Sequence, residues 1–507
     1  MSFARNINDL VVVGGGINGA GIALDAAGRG LKVLLCEQND LASATSSNSS
    51  KLIHGGLRYL EQYDFRLVRE ALAEREVLMR KAPHVIKPMR FRLPHQPHLR
   101  PAWMIRVGLF LYDHLSKRVT LKSSNGIKFG ANSVLLPHLK RGFEYSDGWV
   151  DDSRLVVLNA VAAQQKGAEI RTRSRCINIQ RTNALWQITL QDRSTGEQQE
   201  VYARALVNAA GPWVSSLFES AMQVTAPKQV RLIKGSHIVV PRLHNEEEAY
   251  LLQSEDGRVV FVTPFEQEFS LIGTTDVEFK GDPSDAKISA EEIDYLLQVS
   301  NQYFNQQVTA HDVRWTFAGV RPLLDDESES AQAVTRDYTF DIEAPAGKAP
   351  LLSVFGGKIT TYRKLSEMAV DGLAQHFPNI GPAWTKDAQL PGGDFSDPKT
   401  LHQQIQSRYP WLPMALCARY VRAYGTLSYQ FLGDATSVED LGQDFGAGLY
   451  ASELDYLMAS EWARSSEDVL WRRSKLGLLL NTEQQGVLQV YMARHSELAQ
   501  SETLNCA

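Results

Sequence analysis

Cysteine is scarce in this chain, with four in 507 residues at positions 36, 176, 417 and 506. So few and so scattered, they exclude a disulfide framework and a cysteine metal cluster, and no metal site is expected. Cys36 falls in an apolar run and reads as a small hydrophobe. No stretch approaches about 18 apolar residues, so no segment is expected to span a bilayer. The opening MSFARNIN lacks the apolar core and cleavage site of a secretory signal, and the sparse cysteines fit a reducing cytoplasm. Internal repeats and low-complexity tracts are absent too. The formal net charge of −5 carries no overall bias towards nucleic acid.

What is present begins at residues 10 to 37, LVVVGGGINGAGIALDAAGRGLKVLLCE. A β-branched run enters a glycine turn, an Ala-rich helical stretch follows, and a second apolar run ends at Glu37. Gly14, Gly16 and Gly19 stand at the G-x-G-x-x-G positions: the first for the tight turn, the second for close approach to a pyrophosphate, the third for helix–strand packing. The helix N-terminus offers unpaired N–H groups to phosphate, and Glu37 is placed to accept from ribose hydroxyls. The alternative is an ordinary tight βαβ turn.

Charge is unevenly spread. Between Lys81 and Arg141 there are twelve Lys or Arg and one acid, Asp113, together with five histidines. Inside that stretch PAWMIRVGLFLYDHL repeats Trp103, Met104, Val107, Phe110 and Leu111 at three- and four-residue steps. Such a helix suits the interface of an anionic membrane, or equally a core-facing position under a solvated basic surface. Nucleic acid is disfavoured, because no reading motif accompanies the charge.

Further along, a helix is expected at about 65 to 81, then one capped by Asp151 or Asp152 and reaching about 165. Alternating strands follow to 214 and again over 231 to 280. Ser289 should cap a helix with Glu291 and Glu292 in its first turn, and residues 398 to 500 read as helical, a separate domain. Near the end of the sheet-rich part, VFGGKITTYRKL ends a strand at Gly356 and Gly357 and starts a helix beyond Thr360. A helix entry there would stabilise the anion developing on a reduced flavin, and Lys358 would add a full positive charge. A surface lysine at an unremarkable helix entry is the alternative.

VGGGINGAGIALDAAGRG, SSKLIHGGLRYL, GSHIVVPR, GTTDVE, GVRPLLDDE and FGGKITTYRKL together resemble the FAD-dependent glycerol-3-phosphate dehydrogenases, nearest the aerobic respiratory bacterial type. The likeness runs from Asp9 through the helical tail. One departure is Ser366, where the family usually carries Ala, at a helix-packing position. The resemblance implies an α/β fold: a Rossmann-like FAD-binding domain of the d-amino-acid-oxidase-like type, a mixed-sheet substrate domain and a helical C-terminal domain. The expected boundaries are 9–84, 146–230 and 322–384 for the FAD domain. Residues 85–145 and 231–321 would form the substrate cap with its basic membrane-facing insertion, and 385–507 the helical domain.

The resemblance further implies oxidation of sn-glycerol 3-phosphate to dihydroxyacetone phosphate, with hydride passing from C2 to FAD N5. Electrons would continue to ubiquinone at the cytoplasmic face of the inner membrane, on a peripheral protein expected to be a homodimer. Non-covalent FAD would lie along Gly14, Gly16, Ile17, Asn18, Gly19, Glu37 and Gln38, then Thr45, Ser46, Ser49, Ser50, Lys51, Leu52, His54, Gly55 and Gly56. Cys176, Ala209, Ala210, Gly211 and Trp213 belong to the same set, as do Gly356, Gly357, Lys358, Ile359 and Thr360.

A phosphate dianion wants fixed cations, for which Arg58, Arg321 and Lys358 are candidates, with a structural ion pair as the alternative for any one arginine. Tyr59, Thr274 and Thr275 could add neutral donors. Removing the hydroxyl proton requires a base, His54 or His237, and His54 is preferred for its neighbours Gly55 and Gly56, which suggest proximity to a flat ring. Rival readings are an oxidase passing electrons to dioxygen, an amino-acid oxidase, and a non-catalytic flavin-binding membrane adaptor.

Overall fold

The β-branched run at the head of the chain becomes strand Ile7–Val13, whose inner residues are fully buried. The computed structural model describes residues 6–96, 98–182, 184–324 and 337–505. Gly14 turns the chain with φ +116°, and a Cβ there would sit 2.4 Å from the carbonyl oxygen of Ala209. Helix Ile17–Gly28 then seats so tightly that a Cβ on Gly19 would lie 1.9 Å from the Gly14 oxygen. Only glycine satisfies both contacts.

That strand is central to the first sheet, ordered Tyr338–Glu343, Leu351–Gly356, Gln198–Asn208, Ile7–Val13, Val33–Cys36 and Glu169–Arg171. It pairs in parallel with both of its neighbours, so their carboxyl ends gather the glycine turns at one edge. Helices Asp152–Gln165 and Tyr362–Leu373 flank helix Ile17–Gly28 on one face. Asp151 caps the first of these by accepting from the Arg154 N–H. Ser366 is buried in the second, its hydroxyl donating to the Tyr362 carbonyl at 2.8 Å, directly against Gly21.

The second sheet is mixed, with ten strands among the described residues. Val230–Pro241 pairs antiparallel with Trp315–Leu324 and Phe269–Gly273, and Ile86–Pro94 with Arg141–Val150. Besides Val230–Pro241, which begins one residue before 231, three of its strands do not respect the boundaries expected from sequence. Arg141–Val150 runs past 146, Trp315–Leu324 runs past 321, and Leu52–Ile53 joins this sheet from within 9–84. Ladder pairing persists as long as register partners last, whereas composition marks only turns.

Helix Phe65–Lys81 and the Ser289 capping box with Glu292 form as expected. The C-terminal helices do not make an isolated core. One hydrophobic cluster runs from Leu10 and Val33 in the first sheet to Tyr420 and Leu457, because the amphipathic helices bury their apolar stripes against the sheet domain.

Candidate active site

At the first glycine turn the N–H of Ile17 donates to Ser46 Oγ at 3.0 Å, so a hydroxyl from the following loop sits at the helix N-terminus. Glu37 accepts from Gly15 N and from Asn39 N, each at 2.7 Å. Burial raises its pKa, and the two N–H groups pull the other way. The two glycine turns are tied together: Asn18 Nδ2 donates to the Gly356 carbonyl at 3.2 Å. Asn18 Oδ1 is buried against Gly357 without a hydrogen-bond partner among the described residues. These features fit a dinucleotide with a flavin end.

A cavity of about 960 Å³ opens from this edge. Of the residues expected to hold flavin, Ile17, Thr45, Ser46, Ser49, Ser50, Leu52, His54, Gly56, Gly357, Lys358, Ile359 and Thr360 line it. Tyr59, Thr274 and Arg321 line it as well. The backbone N–H of His54 donates to Thr360 Oγ1 at 3.2 Å, joining the two motifs. Lys358 Nζ lies 3.7 Å from the centroid of the Tyr59 ring, in a cation–π contact. A second, polar cavity of about 660 Å³ shares Thr45, Asn48 and Gly319 with the first and is lined by Trp213. Gly14, Gly19, Cys176 and Ala209 are packed in the framework beneath, while Gln38, Ala210 and Gly211 are half-buried beside it.

Several expectations need correction. Lys51 is fully buried and paired with Asp152 at 2.7 Å, so its ammonium points into the protein and not at a cofactor. His237 lies behind the cavity wall, stacked on Phe317, its Nε2 3.0 Å from Ser50 Oγ. Burial there drives its pKa well below the ordinary histidine value. Thr275 is buried and donates to Glu292 at 2.7 Å, leaving Thr274 to face the cavity. The Gly55 N–H bonds Tyr112 at 2.7 Å, and Leu72 also crowds that glycine, so protein atoms rather than a flat ring fill its space. Arg321 pairs with Asp276, another cavity-lining residue, and donates to Thr274 at 3.3 Å. The structural ion pair weighed as the alternative for one arginine is thus present at Arg321, although its side chain still faces the cavity. The side chain of Arg58 lies outside the described residues.

The far wall of the cavity is helix Ala102–His114, through Trp103, Met104, Val107 and Leu111. Its Ile105, Leu109 and Tyr112 are buried, whereas Trp103 is 69% and Phe110 58% exposed. The stripe at 103, 104, 107 and 110 is therefore not the core face. The basic patch is also narrower than composition suggested. Lys81 is buried on the Thr385 and Ala388 carbonyls, and Arg90 and Arg92 pair with Glu144.

Residues 9–363 match the model of the FAD dependent oxidoreductases, and 383–502 that of the C-terminal domain of alpha-glycerophosphate oxidase. The aerobic glycerol-3-phosphate dehydrogenase of Escherichia coli is 58% identical over 490 residues, covering 96% of this chain and 98% of that protein. This chain belongs to the FAD-dependent glycerol-3-phosphate dehydrogenases. A glycerol-3-phosphate dehydrogenase of Pseudomonas aeruginosa is 57% identical over 96% of this chain and 95% of its own length. The Bacillus halodurans glycerol-3-phosphate dehydrogenase, solved with FAD, superposes with a TM-score of 0.73 at 27% identity, over 97% of this chain and 95% of that one. As a member of this family the protein is FAD-dependent and has the d-amino-acid-oxidase-type fold.

Sequence reasoning about this dehydrogenase missed two cavity groups. Asp276 stands in the GTTDVE motif next to Thr274 and Thr275, both already singled out, so it was within reach of the sequence reading. Asp147 was not. It is buried with Arg75 and accepts from Tyr112 at 2.8 Å, three residues far apart in the chain that meet beside Gly55.

Proposed function

We propose that this protein oxidises sn-glycerol 3-phosphate at C2 in the 960 Å³ cavity and passes the electrons to ubiquinone at an anionic membrane surface. The observation that carries the reading is the one cavity running from His54, Arg321 and Lys358 to the exposed apolar helix. FAD is expected to be held by the helix N-terminus at Ile17, the loop hydroxyls of Ser46 and Ser49, Asn18 and the Gly357–Thr360 turn. Held there, FAD would supply a hydride acceptor able to release electrons singly.

The chain's own groups do the rest. Arg321 and Lys358 grip the phosphate, and Thr274 orients the substrate against Arg321. His54, on the cavity wall beside Thr360, takes the hydroxyl proton as the carbinol hydrogen leaves. His237 supports Ser50 from behind. Apolar walls from Leu251, Val259 and Phe261 exclude water from the reacting carbon.

At the opposite wall, the Trp103, Met104, Val107 and Phe110 stripe enters the headgroup region, with Arg106, Lys117 and Lys122 exposed nearby to meet anionic lipid. No helix among the described residues is long and apolar enough to cross a membrane. The quinone then enters from the lipid side, past residues that are apolar on both faces of one helix. The test is co-sedimentation with vesicles of anionic and of neutral lipid, alongside glycerol 3-phosphate:quinone activity. Binding and quinone activity that both require anionic lipid support the reading; full quinone activity with no vesicle binding overturns the membrane part.

A further inference from the structure

Loop 38–51, between the first βαβ unit and strand Leu52–Ile53, carries the hydroxyls that line the cavity, yet it has awkward backbone of its own. Ala42 and Lys51 are left-handed, with φ +59° and +57°, a conformation unfavourable outside glycine. Something must hold it. At its start, Asp40 is fully buried and accepts from Arg473 at 2.7 and 2.9 Å and from Arg472 at 2.6 Å. Both arginines belong to the C-terminal helical region. Arg472 also pairs with Asp468, which binds Arg173 at 2.7 Å, and the Arg173 N–H returns to the Asn39 carbonyl at 2.8 Å. At the end of the loop, Asp152 accepts from Ser49 Oγ and Lys51 Nζ, each at 2.7 Å. Its neighbour Asp151 is held by Lys475 at 2.9 Å.

We infer that the C-terminal helical region is a working part of the flavin site, in which Arg472, Arg473 and Lys475 are positioning residues that clamp both ends of the 38–51 loop. The inference rests on the reading of Ser46 and Ser49 as flavin wall. A carboxylate with no exposure is stable only with its partners, so removing one guanidinium leaves Asp40 under-compensated and drives the loop outward. Arg419–Glu453 supplies a control: a pair at 2.6 Å inside the helical region, with Glu453 buried, that touches neither Asp40 nor Asp152.

The experiment measures the FAD dissociation constant, the flavin reduction potential and Tm for Arg473→Gln, Arg473→Lys, Arg419→Gln and Ser46→Leu. Arg473→Gln is expected to weaken FAD binding about 30-fold or more and to shift the potential, with partial recovery in Arg473→Lys. Arg419→Gln should lose a similar amount of Tm while changing FAD affinity less than about threefold. Equal flavin loss in the two Gln variants, or none in Arg473→Gln, overturns the inference. If Ser46→Leu leaves FAD affinity untouched, the flavin-wall reading itself has failed. If it weakens affinity while Arg473→Gln does not, only the clamp has failed. Should Arg473→Gln not fold, Asp40→Asn/Arg473→Met removes both charges together; weakened FAD in that folded protein supports the clamp, and wild-type affinity contradicts it.

Discussion

The two walls of the large cavity are built on opposite terms. On the glycine-turn wall a Cβ added to Gly19 would meet the Gly14 carbonyl oxygen at 1.9 Å. On the helix wall a Cβ added to Gly108 would meet nothing within 4 Å. One wall is fixed by backbone against backbone and tolerates no added atom. The other is a single amphipathic helix, buried by Ile105 and Leu109 and open to its surroundings through Trp103 and Phe110. Cofactor and substrate need geometry fixed to fractions of an ångström, whereas a lipid-borne partner needs access.

The comparison is broken most severely by Gly19→Val. With backbone oxygen in the way, the helix must lift from the turn at a cost of about 3 kcal/mol or more, and purified protein should carry no flavin in its absorbance spectrum. Next comes Arg321→Ala. It removes charge-assisted contacts worth about 1.5–3 kcal/mol, so kcat/KM for glycerol 3-phosphate should fall roughly ten- to hundredfold in a dye-linked assay with flavin content unchanged. Loss of flavin in equal measure would mean that this arginine serves the cofactor. On the helix wall, Trp103→Ser/Phe110→Ser should reduce quinone activity in vesicles by about tenfold while the soluble-dye rate stays the same.

Acid should act on the junction behind the rigid wall. Burial first, then the nearby Arg154 charge, lowers the pKa of His84 to about 3 from 6.5. The unfolded imidazole therefore binds its proton below pH 6.5 while the folded one does not until about 3, so stability falls as pH drops through that window. His84→Leu should flatten Tm against pH there and change little above pH 7. The smallest effect belongs to Gly108→Ala, expected to stabilise the helix by about 1 kcal/mol or less, seen as a slight rise in Tm with flavin and activity intact.

Local physics made the rigid wall legible in sequence. The Gly14–Gly19 contact, the Asp151 and Ser289 caps and the helix at 65–81 all follow from contacts within a few residues. What was not legible depends on pairing at a distance. Thr274 and Thr275 lie between strands Phe269–Gly273 and Val277–Glu278, where no alternation says which of them faces the cavity; that is decided by Glu292 on a separate helix. His237 looked like a base by residue type, and only its stacking on Phe317 shows it turned inward. The amphipathic helix gave its periodicity plainly. Both its faces are apolar enough to be core, so only packing of Ile105, Leu109 and Tyr112 reveals the open side. The buried charges linking loop 38–51 to residues 461–475 lie more than four hundred positions apart for Asp40 and Arg473, beyond any local pattern.

The central claim is that a single cavity serves the polyol phosphate at its rigid wall and a quinone at its helical wall. Anaerobic stopped-flow of the purified protein in anionic vesicles tests it, following the yellow absorbance after mixing with glycerol 3-phosphate and then with ubiquinone. Bleaching by the phosphate and recolouring by the quinone is the expected result, with recolouring but not bleaching slowed in Trp103→Ser/Phe110→Ser. Flavin that stays oxidised with glycerol 3-phosphate, or that is recoloured equally fast in the double variant, would contradict the account.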